Sequence, residues 1–310
     1  MNDPGHKPVL LDEVLCGLDV RNDGTYVDCT FGRGGHSTAI LARLGDRGRL
    51  VVFDRDSAAI AVARARFGRD RRVECIHAPF SRVAVEARRL GFETVNGVLF
   101  DLGVSSPQLE DENRGFSFQH DGPLDMRFDP GQGPSAAEWI NRAPERDIVN
   151  VLKRYGEERY ARQITRAIIR ARAAAPLLRT GQLRDIVSSS VPARERHKHP
   201  ATRTFQAIRI QINAELEELE AALPGAVSIL APGGRLVVLS FHSLEDRIVK
   251  RFIRNEARGG EFPRALPTAG QLYPPRLKII GRPARPQASE IEANPRARSA
   301  VLRVAERFAA

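Results

Sequence analysis

Cysteine is scarce in this chain. Cys16, Cys29 and Cys75 form an odd, scattered set with no Cys-x-x-Cys pair. That spacing argues against a disulfide framework and against a cysteine zinc site, and free thiols point to a reducing cytoplasm. Long apolar runs are also missing. No stretch approaches the roughly 18 residues of a membrane span, and the opening MNDPGHKPVLLDE lacks the apolar core of a signal peptide. A cytoplasmic protein with no membrane partner is expected. Internal repeats and low-complexity tracts are absent too, which removes solenoids and disordered tails from consideration.

The 310 residues, 42% hydrophobic and 28% charged, suffice for one large or two ordinary folded domains. Lys and Arg number 48 against 38 Asp and Glu, a net charge of +10. Basic proteins favour polyanions. The excess is segregated: residues 161–210 hold 11 basic and 2 acidic residues, whereas 111–160 hold 7 and 10. A uniform codon bias toward arginine would not distribute charge in that way.

From residue 25, β-branched apolar runs alternate with helical patterns: TYVDCTF then STAILARLG, RLVVFDRD then SAAIAVARARF, VECIHAPF then SRVAVEARRLGF, and finally VNGVLFDLG. Such alternation means βαβ units and a parallel sheet covered on both faces. After Asp101 the rhythm stops. Helical patterns alone run from about 135 to 220, and strand signals return at 234–242, 277–280 and 299–308. The organisation predicted is an α/β domain in two parts, 1–108 and 212–310, with a helical insertion at 109–211. A Gly/Pro-rich loop is expected at 258–275.

Two stretches carry chemistry. FGRGGH (31–36) follows the first strand and lets backbone amides approach a ligand at the mouth of the sheet. It lacks the Gly-Lys-Ser/Thr of a phosphate loop, and Gly32-x-Gly34-Gly35 breaks the G-x-G-x-x-G register. Asp54, closing the second strand about twenty residues later, sits where a carboxylate accepts both hydroxyls of a ribose. The pair suits an adenosine ligand, whether NAD or S-adenosylmethionine. His36 opens the following helix, as a hydrogen-bonding residue of the turn or as a ligand contact. The second stretch, Ser105-Ser106-Pro107-Gln108, follows the fourth strand and approximates the polar loop with which amino-directed methyltransferases accept hydrogen bonds from an exocyclic amine.

HKPVLLDEVL (6–15), DCTFGRGGHS (28–37), FDRD (53–56), DLGVSSPQL (101–109), DGPLDMR (121–127), YGEERYARQIT (155–165), HPATRTFQAIRI (199–210), APGGRLVVLSFHSLEDRIVK (231–250) and NPRARSAVLR (294–303) closely resemble the bacterial RsmH family, formerly MraW. The resemblance covers nearly the whole chain. It implies a class I, Rossmann-like S-adenosylmethionine-dependent methyltransferase sheet carrying an inserted all-helical domain for RNA recognition. The implied reaction is methylation of the exocyclic N4 of cytosine 1402 in 16S ribosomal RNA, within the small subunit or its late assembly intermediate, with no metal required. The cofactor contacts carried over are Gly34, Gly35, His36, Asp54, Phe80, Asp101 and Gln108. Candidates for the catalytic acceptors are Asp101, Ser105 and Ser106.

Arg194, Arg196, Lys198, Arg203 and Arg209 make the segment 193–209 a candidate phosphate-contacting face. Phe116, Phe118 and Trp139 offer stacking surface for an extruded base or belong to the core. Asp121, Asp125 and Arg127 either pair internally or reach substrate. Two other classes, a pyridine-nucleotide oxidoreductase and a non-catalytic RNA-binding assembly factor, fit less well. The broken glycine register opposes the first, and the intact turn with Asp54 opposes the second.

Overall fold

The computed structural model describes residues 8–191, 199–259 and 274–309. The chain forms two units: Met1–Gly103 with Leu216–Ala310, and Val104–Glu215.

The first unit contains a seven-stranded sheet. Its strands are β1 Thr25–Asp28, β2 Arg49–Asp54, β3 Val73–His77, β4 Val95–Asp101, β5 Leu230–Ser240, β6 Leu277–Ala284 and β7 Val301–Arg307, in the order β3-β2-β1-β4-β5-β7-β6. β1 to β5 run parallel, while β7 pairs antiparallel with both β5 and β6. This is an open α/β sheet, parallel from β1 to β5, with β7 inserted antiparallel.

Period-two alternation explains why the strands read as continuous apolar runs. Val27, Val51, Phe53, Val98, Phe100 and Val238 pack on one face. Tyr26, Leu50, Val52, Leu99, Val237 and Leu239 pack on the other. Both faces are covered, so the central positions of these strands are apolar and acids appear where β1, β2 and β4 end. An additional helix, Leu11–Leu18, packs its buried Val14, Leu15 and Leu18 into the second of these faces.

The second unit is helical, with Ser106–Glu110, Ala136–Arg142, Glu145–Gly156, Ala161–Ala174, Thr180–Ser190 and Thr202–Asn213, plus one isolated antiparallel bridge between Pro123 and Arg179. Two helical patterns that look continuous in sequence are interrupted. Glu157 (φ 48°) ends Glu145–Gly156 and Ala214 (φ 49°) ends Thr202–Asn213, each in the left-handed region. Neither residue is a helix breaker by type, so the stops are imposed by tertiary packing. Among the described residues no helix is long and apolar enough to cross a membrane.

Candidate functional site

The strand order reverses between β1 and β4, and ligands of open α/β sheets bind at that crevice, outside the carboxyl ends of the strands. The sheet delivers Asp28, Asp54 and Asp101 there, as the last residues of β1, β2 and β4.

The glycine turn is built around these acids. Gly32 and Gly34 are left-handed, with φ of 53° and 74°. A side chain at Gly34 would strike the Phe31 ring at 2.4 Å, and one at Gly35 would strike Pro8 at 2.3 Å. Both positions therefore require glycine for the turn's own packing. Asp54 anchors the turn: Oδ2 accepts the Gly32 N–H at 2.8 Å and Oδ1 accepts the Asp56 N–H at 2.8 Å. The Arg55 N–H adds to these contacts. Burial pushes the Asp54 pKa up to about 6 against these hydrogen bonds.

Asp28, which the sequence reading passed over, organises the centre. It is 1% exposed. Its Oδ2 accepts the Ser37 hydroxyl at 2.6 Å and its Oδ1 accepts the Thr30 N–H at 3.1 Å. The Thr30 hydroxyl in turn accepts the Asp101 N–H at 2.7 Å, tying the end of β4 to the turn after β1. Burial raises Asp28 to about 6, opposed by the Ser37 hydrogen bond and the charge of His36. The available signal was an acid closing an apolar strand immediately before the glycines.

His36 opens helix Gly35–Leu41, whose N-terminus at Gly34 has no side-chain cap. The imidazole is 5% exposed, with Nε2 3.4 Å from Asp101 Oδ2. That contact is a charge pairing without directed hydrogen-bond geometry: both His36 ring nitrogens and Asp101 Oδ1 are buried with no hydrogen-bond partner among the described residues. Burial lowers the imidazole pKa, but the Asp101 carboxylate and the more distant Asp28 more than reverse this, leaving a net rise. Phe80, in the short turn after β3, stands edge-on to Phe100 at 5.6 Å between ring centroids and is half-buried on the core.

The chain belongs to the MraW methylase family. The family model matches residues 3–308. Ribosomal RNA small subunit methyltransferase H of Azoarcus sp. (strain BH72) is 57% identical over 303 residues, covering 97% of this chain and 96% of its own. The protein of that name from Thioalkalivibrio sulfidiphilus (strain HL-EbGR7) is 55% identical over 308 residues, covering 99% and 98%.

The remaining candidates of this MraW-family chain lie in the second unit. Gln108 is buried and caps helix Ser106–Glu110: its Oε1 accepts the Ser105 N–H at 2.9 Å, while the Ser105 side chain accepts the Gln108 N–H. Ser106 is buried at the start of that helix, beside Pro107. Asp125 pairs with Arg127 in a two-pronged contact at 2.8 and 2.7 Å. Asp121 accepts from Arg179 at 2.6 Å and from the Gly181 N–H at 2.9 Å. Asp125 thus holds the loop to itself, while Asp121 ties it to the start of helix Thr180–Ser190. Phe116 is buried and stacked on Phe128, whereas Phe118 stacks on His199 at 4.7 Å; Trp139 is half-buried.

Of the basic segment, Arg194, Arg196 and Lys198 lie outside the described residues. Arg203 is half-buried in helix Thr202–Asn213. Arg209 differs from the expected open phosphate contact. Its guanidinium is 13% exposed and forks onto Glu215 at 2.8 and 2.9 Å. Its position on the inner side of the helix, which a charge count does not resolve, commits it to that carboxylate. The expected loop at 258–275 falls largely outside the described residues.

Proposed function

We propose that this chain transfers a methyl group from S-adenosylmethionine to the exocyclic N4 of a cytosine in 16S ribosomal RNA, cytosine 1402 by the family resemblance. The observation that carries the reading is the full-length similarity to two ribosomal RNA small subunit methyltransferases H. The polar groups at the strand ends suit the donor. Asp54, closing β2 beside the glycine turn, stands where a carboxylate accepts the hydroxyls of a ribose. Asp101 Oδ1 and His36 Nδ1 are buried polar atoms with no hydrogen-bond partner among the described residues, a setting that suits a ligand with an amino and a carboxylate group. Half-buried Phe80 offers a ring to an adenine.

S-adenosylmethionine, when bound, supplies an electrophilic methyl on a sulfonium. The chain's contribution is alignment and acceptance. The amine lone pair of cytosine is delocalised into the base ring. Acceptors among Asp101, Ser105 and Ser106 hold the N–H groups so that the lone pair localises on nitrogen and faces the methyl. The released proton goes to water. No metal enters this scheme, and the partner is the small ribosomal subunit or its late assembly intermediate in the cytoplasm.

The test uses methyl-labelled S-adenosylmethionine with free 16S RNA, 30S subunits and 70S ribosomes in separate reactions. Incorporation into 16S RNA of 30S subunits is the expected outcome. Absence of label in all three overturns the proposal.

A further inference from the structure

Helix Ala161–Ala174 carries Arg162, Arg166 and Arg170 at successive four-residue steps, all exposed. Four residues advance about 6 Å along a helix and return to nearly the same face. The three guanidinium groups therefore form one row, opposite the buried Ala161, Ile164, Thr165 and Ile168. Each step is comparable to the distance between consecutive phosphates of a nucleic-acid strand.

What distinguishes this row is the absence of carboxylates. No Asp or Glu occurs between Glu158 and Asp185. Four arginines elsewhere in the same unit pair with acids: Arg127 with Asp125, Arg179 with Asp121, Arg184 with Asp185 and Arg209 with Glu215. Arg162, Arg166 and Arg170 have no hydrogen bond or ion pair to any described residue. The arrangement also opposes helix stability. Like charges at i and i+4 repel, and Arg162 occupies a first turn that contains no acid, at the positive end of the helix dipole. An ordinary solvated helix face alternates its charges. This one concentrates a single sign against local preference, which is the mark of a surface shaped by a partner.

We infer that the Arg162–Arg166–Arg170 row is a phosphate-tracking surface that holds the backbone of the RNA substrate. The inference rests on the RNA-methylating reading above and adds a contact surface separate from residues 193–209. Guanidinium groups bind phosphate oxygens in paired hydrogen bonds, and such contacts position an RNA without reading its bases.

The experiment compares wild type with the triple variants R162Q/R166Q/R170Q and R162K/R166K/R170K. Glutamine and lysine are good helix formers, so the exposed helix persists, and circular dichroism confirms it. Anisotropy with a 16S RNA transcript is measured over a salt series, alongside methylation kinetics on 30S subunits. In the glutamine variant the log–log salt slope is expected to fall by about 2 to 3, because roughly one counterion release is lost per phosphate contact. The KM for 30S subunits should rise at least about tenfold, while kcat at saturating substrate and calorimetric affinity for S-adenosylmethionine hold. The lysine variant should keep the slope. An unchanged slope and KM in the glutamine variant, with wild type active, overturns this surface alone. A wild type that neither binds nor methylates RNA overturns the functional reading together with it. Loss of binding to phosphatidylserine vesicles with RNA affinity intact assigns the row to a membrane surface and equally overturns the inference.

Discussion

His36 Nε2 lies 3.4 Å from Asp101 Oδ2, and the histidine is buried beside a second acid, Asp28. One imidazole thus stands beside two acidic side chains brought to the same place by neighbouring strand ends. Both acids favour the protonated imidazole and offset the cost of its burial.

This arrangement makes stability depend on pH. The His36 pKa is raised above its ordinary 6.5. A group raised on folding contributes fully below its unfolded value and loses that contribution as pH rises through the folded one. Urea unfolding should therefore show wild-type stability declining above about pH 6.5, with that part of the slope missing in a His36→Gln variant. Asp28, raised from 3.8 to about 6, has the same sign, and its contribution is lost between those two values, at lower pH. Identical slopes above pH 6.5 in both proteins would remove His36 from this role.

Asp54 serves both the turn and the ligand. An Asp54→Ala variant should lose roughly 1.5–3 kcal/mol of S-adenosylmethionine affinity, the scale for hydrogen bonds to a charged group. It should also lose thermal stability, because the Gly32 and Asp56 N–H groups lose their acceptor. With its pKa near 6, wild-type affinity should be flat at neutral pH and weaken as pH falls through about 6, and Asp54→Asn should abolish that acid limb. Calorimetry from pH 5 to 8 decides the matter; an unchanged affinity in folded Asp54→Ala takes the residue out of the site.

Much of this was legible in the sequence because buried parallel strands admit almost no polar residues until they end. Asp54 and Asp101 stood out for that reason, and Asp28 could have been found in the same way. Other features depend on partners distant in the chain. Helix Leu11–Leu18 is short, and its apolar positions gain meaning only against the sheet. The helix stop at Ala214 has no local signal, since alanine is the strongest helix former. Gln108 matched a ligand-contact motif, yet in the structure its Oε1 is engaged in a helix cap.

Arg209 tests the distinction between charge and exposed charge. Replacing it with Gln leaves the buried Glu215 without its fork partner, and a loss of about 3 kcal/mol in unfolding free energy is expected, the scale for breaking a buried pair. RNA affinity of the folded fraction should barely change. Denaturant titration and anisotropy on the same preparation check both halves, and a large affinity loss with full stability would return Arg209 to the RNA-contacting set.

The thiols offer a chemical test. Methylation of cytosine at carbon five needs a cysteine thiolate to add to carbon six first. Burial raises the Cys29 thiol well above its usual range and also raises Cys75, which disfavours the reactive thiolate. Cys16 is exposed on helix Leu11–Leu18, before the first strand. A variant lacking all three cysteines should still methylate RNA, and 5-fluorocytosine at the target should not trap the enzyme. A denaturant-resistant protein–RNA adduct would contradict the direct attack of an amine.

The identity of the methylated nucleoside tests the central claim most directly. 16S RNA methylated by the purified protein in 30S subunits is digested and analysed by mass spectrometry against synthetic standards, with the position mapped by fragment. The account predicts N4-methylcytidine at cytosine 1402. A product of 5-methylcytidine, or a methyl group on any other base, would contradict it.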